Sequence, residues 1–126
     1  PRDFLPRSSY YHTQMMAQNM KGEFLVTRSN NSFVKTIGSR SEDEICVMIL
    51  NKDEVHDLDF DLFLNSDGDS GKPLVVHADA GLDVSISGRI ANQTTKMYVL
   101  SNSGEVKKEI TYGLEHNLKY QPPDVN

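Results

Sequence analysis

The chain has no tryptophan and one cysteine, Cys46. A single thiol allows no intrachain disulfide, so cysteine usage does not report the redox compartment. Cys46 lies in the most apolar run of the chain with no basic residue ahead of it to lower its pKa, which marks a small buried hydrophobe rather than a nucleophile. Positive charge is also scarce: 13 Lys and Arg face 18 Asp and Glu, for a net charge of −5. The one basic doublet is Lys107-Lys108. A nucleic-acid surface needs clustered Lys and Arg, so that class of partner is excluded. No run approaches the roughly 18 apolar residues of a membrane-spanning helix, which gives no membrane partner. No signal peptide is visible; the sequence starts at Pro1 without an initiator Met, so it reads as a fragment or mature product and the missing leader carries no information. His12, His56, His77 and His116 lack the close spacing of a metal site, and there is no glycine-rich phosphate loop or nucleophile elbow. No cofactor is implied, and no residue is assigned a catalytic role.

With 126 residues the chain is one domain, able to bury roughly two thirds of the surface its unfolded form exposes. The apolar fraction of 37% is below the roughly 45–50% of average domains, a count that includes glycine. That shortfall suits a thin core between two sheets. The run Glu44–Leu64 is the most informative: Ile45 to Leu50 is apolar on both faces, Asn51-Lys52-Asp53-Glu54 breaks it, and a strictly alternating strand follows. Leu58, Phe60, Leu62 and Leu64 fall on one face of that strand, Asp57, Asp59 and Asp61 on the other. The first strand should lie deep in its sheet and the second should cover a core while meeting water.

Residues 1–22 form an N-terminal helical or linker segment. Ser8 or Ser9 can cap a helix of about three turns that ends near Lys21, with Gly22 as its stop and Met16 and Met20 four apart on one face. Residues 23–113 read as β, with strands expected at Glu23–Thr27, Phe33–Ser39, Glu44–Leu50, Asp57–Leu64, Pro73–His77, Leu82–Ile90, Thr95–Ser101 and Val106–Tyr112. Residues 114–126 read as an irregular or disordered tail with a Pro pair. Strands without intervening helices exclude a parallel α/β fold. The expected fold is all-β: an antiparallel two-sheet β-sandwich of about eight strands with a short N-terminal helix, a closed barrel being the alternative.

Three constellations could carry chemistry. Asn65, Asp67 and Asp69 have the one-three-five oxygen spacing of a calcium loop, but Ser70 stands where the loop needs Gly and Val76 where it needs Glu. An Asp- and Gly-rich connecting loop is the simpler reading. Asp57, Asp59 and Asp61 stand roughly 7 Å apart, a distance at which two carboxylates can act on a sugar bond, yet the alternation puts all three on the wet face. The tyrosines at 10, 11, 98, 112 and 120 do not line one strand face, which argues against a sugar-binding platform. An independent enzyme would need a pocket that collects two of His56, His77, Asp67, Asp69 and Glu115. The triplets Asn30-Asn31-Ser32 and Asn92-Gln93-Thr94 match the glycosylation pattern without further support.

The order of pieces is more telling. QMMAQNMKGEFL leads into Phe33-Val34-Lys35-Thr36-Ile37-Gly38; an apolar strand ends in Asn51-Lys52-Asp53, and LDVSISGRIANQTTKMYVLSNSGEVKKEITY follows. From about Tyr11 to Pro123 this resembles the C-terminal β-sandwich that follows the (β/α)8 catalytic barrel in clan-A-type retaining glycoside hydrolases, most closely those of the β-agarase and porphyranase type. The resemblance implies a non-catalytic accessory domain of a secreted or periplasmic polysaccharide-degrading enzyme, whose catalytic glutamates belong to the absent barrel. The implied partner is that barrel, and a polysaccharide is a possible second one. Tyr10, Tyr11, Met15, Met16 and Met20 are then candidates for packing on the barrel. A carbohydrate-binding module of the same kind of enzyme is the alternative, and an adhesion or assembly sandwich is a third reading.

Overall fold

The structure, a computed structural model, describes residues 8–126, so the first seven residues of the expected N-terminal segment lie outside the described residues. Helix α1 (Ser8–Asn19) is followed by β1 (Glu23–Leu25), β2 (Thr27–Ser29), β3 (Val34–Arg40), β4 (Glu44–Asn51), β5 (Leu58–Phe63), β6 (Leu74–Ala78), β7 (Ser85–Ile90), β8 (Thr94–Ser101) and β9 (Val106–Tyr112). Helix α2 (Leu114–Lys119) and β10 (Asp124–Val125) complete the chain. The strands make a six-stranded sheet, β1-β3-β4-β8-β9-β10, and a four-stranded sheet, β2-β6-β5-β7. The expected all-β sandwich with an N-terminal helix is the observed architecture.

Strand β4 lies in the middle of the larger sheet, between β3 and β8. Ile45, Val47 and Ile49 join Phe60, Leu62, Leu64, Val76 and Leu100 in the core between the sheets. Cys46 and Met48 point the other way, where α1 lays Tyr11 and Met15 over them together with Met97, Val99, Ile110 and Tyr112. The helix is therefore the lid of the outer face, which explains why β4 is apolar on both sides. Its buried stripe is Tyr11, Met15 and Asn19, one residue per turn, with Met16 and Met20 on the flank. Gly22 ends the helical segment with φ +81, and a Cβ there would lie 2.1 Å from the Arg40 carbonyl oxygen. Only glycine fits that turn.

Four expectations need correction. The single strand expected at Glu23–Thr27 divides at Val26: β1 pairs with β3, and β2 pairs with β6 in the other sheet. The chain turns the corner of the sandwich there, and the Val26 carbonyl accepts from the Asp79 N–H at 2.9 Å. The sandwich is not wholly antiparallel, because β5 and β6 pair in parallel, Phe60↔Leu74 to Phe63↔His77. The connecting loop must run back along the outer face of the smaller sheet to permit this. It is held there by Arg28 Nη2 donating to the Ser66 carbonyl at 2.7 Å and by Asn65 Nδ2 donating to the Leu82 carbonyl at 2.9 Å. The strand expected from Leu82 starts regular pairing only at Ser85, although Leu64 N–H still donates to the Val84 carbonyl at 3.0 Å. Finally, the tail is ordered. His116 Nδ1 accepts from the Gly113 N–H at 2.9 Å where α2 begins, Tyr120 closes α2 in the left-handed region at φ 55, and β10 then pairs antiparallel with β9.

Candidate functional site on the open flank of the sandwich

Six strands cannot be covered by four. Alternate residues of β8 show where the excess lies: Tyr98 and Leu100 reach the inter-sheet core, and Lys96 shares their face nearer the start of the strand. Thr111 of β9 is the register partner of Lys96, and Glu109 that of Tyr98. These inward residues extend past β7, the edge strand of the smaller sheet. The shelf so formed is a groove of about 470 Å³, lined by Arg89, Ala91 and Asn92 after β7, by Thr94, Lys96 and Thr111, and by Gly113 to His116 of the α2 start.

The polar groups of this groove hold one another. Lys96 Nζ lies 2.5 Å from Glu109 Oε2. Burial pushes the Tyr98 phenol well above its usual range, and the Glu109 carboxylate that it meets adds to the rise. Arg89 reaches Asp59 at 2.9 Å and Asp57 at 3.7 Å. Asn92 is fixed by its N–H to Asp57 Oδ1 at 2.8 Å and by its Nδ2 to the Glu54 carbonyl at 2.9 Å. Thr94 Oγ1 donates to the Asn92 carbonyl at 2.9 Å, across the left-handed Gln93 at φ 50. His116 offers its Nε2 to Asp124 at 3.1 Å and stacks on Tyr112 with 5.6 Å between ring centroids. A groove of this kind can seat an apolar or amphipathic surface between charged walls that are already neutralised.

The residues singled out in the sequence are dispersed. His77 is buried, its Nδ1 3.0 Å from the Asn65 carbonyl and its ring stacked on Phe63 at 5.4 Å. His56 lies 3.0 Å from Asp53 Oδ2 in the β4–β5 turn. The Asp53 carboxyl is held below its usual range by the Val55 N–H, with His56 contributing next. Glu115 lines the open groove without any of His56, His77, Asp67 or Asp69 beside it. In the β5–β6 loop, Asn65 Oδ1 accepts from the Asp67 N–H at 2.9 Å and Asp69 Oδ1 accepts from the Gly71 N–H at 3.2 Å. These two oxygens close local turns.

The aspartate strand is corrected at one position. Asp57 and Asp59 are exposed as expected, but Asp61 is only 8% exposed. The returning β5–β6 loop lies over it: Ser70 and Ser87 donate to its carboxylate and Lys72 Nζ stands 3.8 Å away, holding the carboxyl below its usual range. Of the packing candidates, Tyr11 and Met15 are buried against the larger sheet, Met16 and Met20 are partly buried there, and Tyr10 remains 53% exposed. Tyr10 meets Tyr11 edge to face at 5.2 Å, Tyr11 meets Tyr112 at 5.3 Å, and Tyr112 leads on to His116. Phe24 and Phe33 are both exposed but stand at opposite ends of β3, since Phe24 is paired with Ser39 and Phe33 precedes Val34. They do not share a platform.

Sequence reasoning missed the groove. Lys96, Thr111 and His116 come from three elements whose register is not written in any one of them. The one available signal was in β8, where Thr94 and Lys96 stand on the face that buries Tyr98 and Leu100. A lysine on a core face marks the place where the covering sheet ends. Comparison of the chain with family models, curated proteins and solved structures finds no match to any of them.

Proposed function

We propose that the chain is a non-catalytic accessory β-sandwich of a secreted polysaccharide-degrading glycoside hydrolase, packing against the catalytic barrel and stabilising it. The observation that carries the reading is the use of the ionisable groups. Asp53, Asp61, His77, Lys96, Glu109 and His116 hold turns, the loop crossing and the groove wall in place. They act as structural fasteners, and the two that share the groove, Lys96 and His116, are engaged by Glu109 and Asp124.

The chain's resemblance to the sandwiches that follow barrels supplies the partner, and one surface suits it. Tyr10 is linked by successive ring contacts to His116 of α2, which also exposes Leu114 at 38% and Leu118 at 66%. Of the five packing candidates, Tyr10 is the one with most of its surface left for such a contact.

The test has two arms. The isolated chain is expected to leave agarose, xylan and aryl glycosides unhydrolysed; reproducible turnover abolished by a single carboxylate substitution would overturn the reading. The reading frame upstream of Pro1 is expected to encode a barrel-length segment, about 250 residues, with acidic residues at its strand ends. A secretory signal directly before Pro1 would remove the barrel. Retention of the isolated chain by one of these polysaccharides in affinity electrophoresis would favour a binding module instead.

A further inference from the structure

We propose that Met16 and Met20 are oxidation sites, and that their conversion to sulfoxides by a peroxide releases α1 from the larger sheet. The five methionines and the one cysteine of the chain all belong to the layer between α1 and that sheet. The core between the two sheets contains no sulfur and is built from Val, Ile, Leu, Ala, Phe and Tyr. Met48 and Met97 are register partners across β4 and β8. Cys46 lies two residues before Met48 on the same face of β4, and Met15 lies over them. Each of these side chains is at most 3% exposed. Met16 and Met20 stand one turn apart on the flank of α1 and are half-buried. They are therefore the thioethers that a solvent-borne oxidant reaches first, and each still contributes to the seat.

The helix, SSYYHTQMMAQN, contains no Asp, Glu, Lys or Arg, so its docking rests on the burial of Tyr11, Met15, Met16 and Met20. His12 adds a polar link, its Nε2 lying 2.6 Å from Thr95 Oγ1. With hydrogen peroxide as the oxidant, a lone pair of the thioether sulfur attacks one peroxide oxygen. An S–O bond forms as the O–O bond breaks; the sulfur loses two electrons and the second oxygen leaves as water. The sulfoxide is a polar acceptor, and returning it to an apolar seat without a donor is costly. The equilibrium moves toward the lifted helix, which uncovers Met15 and Cys46. This response is independent of any role beside a catalytic barrel.

Brief treatment of the 126-residue chain with hydrogen peroxide in native buffer, quenched with catalase, tests this. Peptide mass spectrometry should find added oxygen on Met16 and Met20 ahead of Met15, Met48 and Met97. Labelling of the remaining Cys46 thiol should then accelerate several-fold, since it reports the population in which α1 is lifted. Reduction by the two methionine sulfoxide reductases, one for each epimer, should return labelling to its slow rate. The variant M16L/M20L keeps apolar side chains of similar volume and should label slowly both before and after peroxide. Oxidation of Met16 and Met20 that leaves Cys46 labelling unchanged overturns the proposal. So does oxidation of the buried methionines as fast as the flanking pair, labelling that stays fast after reduction, or a double variant that responds like the parent chain.

Discussion

Asp61 shows how much one side chain depends on a connection elsewhere in the chain. Strand alternation sends it toward solvent with Asp59, yet the loop that returns from β5 to its parallel neighbour β6 brings Ser70 and Lys72 over it. Ser87, across the pair with β7, supplies a second hydroxyl. A carboxylate holding hydrogen bonds of this kind contributes about 1.5–3 kcal/mol. Because its folded pKa lies below the ordinary 3.8, the unfolded chain binds the proton first as pH falls. The contribution is thus complete above the ordinary value and is lost as pH drops through the lower, folded one. Asp61→Asn is expected to lower stability near neutrality by about that amount and to flatten the acid limb below about pH 4. Urea titrations at a series of pH values would show it, and parallel acid limbs in the two proteins would refute it.

Among the elements, the sequence was most legible where a single face decided the outcome. The alternation of Leu58, Phe60 and Leu62 and the two-sided apolar run of β4 led directly to a covering strand and a central one. Legibility ended where an element belongs to two environments. Glu23–Thr27 reads as one strand because nothing in its composition marks the corner at Val26, and the tail's Pro122-Pro123 pair hid a strand that exists only because β9 offers it an edge. Helix α1 was placed correctly but its buried side was not: the Met16/Met20 pair is the flank, and Tyr11/Met15 the seat. The seat can be tested through the thiol beneath it. Cys46 is 1% exposed, and burial pushes its pKa up to about 12, so a thiol-reactive probe can reach it only after α1 lifts. Met15→Ala, which removes a fully packed side chain, is expected to cost about 2–5 kcal/mol and to accelerate Cys46 labelling in native buffer. Unchanged labelling would mean that another part of the molecule guards the thiol.

For the whole molecule, the governing fact is the mismatch of six strands over four. On one side the kinked segment β1–β2 closes the sandwich by belonging to both sheets, with Thr27 and Thr36 hydroxyls joined at 2.9 Å across the corner. On the other side no strand among the described residues joins both sheets, and the inward face of β8 and β9 would stand open beyond β7. Residues 114–126 stand at that border. β10 occupies the free edge of β9, with Glu109 and Asn126 exchanging backbone hydrogen bonds at 2.9 and 2.8 Å, while the start of α2 walls the groove and rests His116 on Tyr112 of the outer face. No sequence pattern could announce this role, because it depends on the unequal width of two sheets. Ending the chain after Gly113 removes the β9 edge pairing and uncovers Tyr112, which is 3% exposed when covered. Partial exposure of that ring and loss of two or more backbone bonds amount to about 1–3 kcal/mol. For a domain of this size, that corresponds to a melting temperature lower by about 4–15 °C. Hydrogen exchange should localise the loosening to the Glu109 and Thr111 amides, which face β10, while the β3–β4–β8 amides stay protected. If the truncated chain melts with the full one, the open flank is stable by itself and the groove does not need its α2 wall.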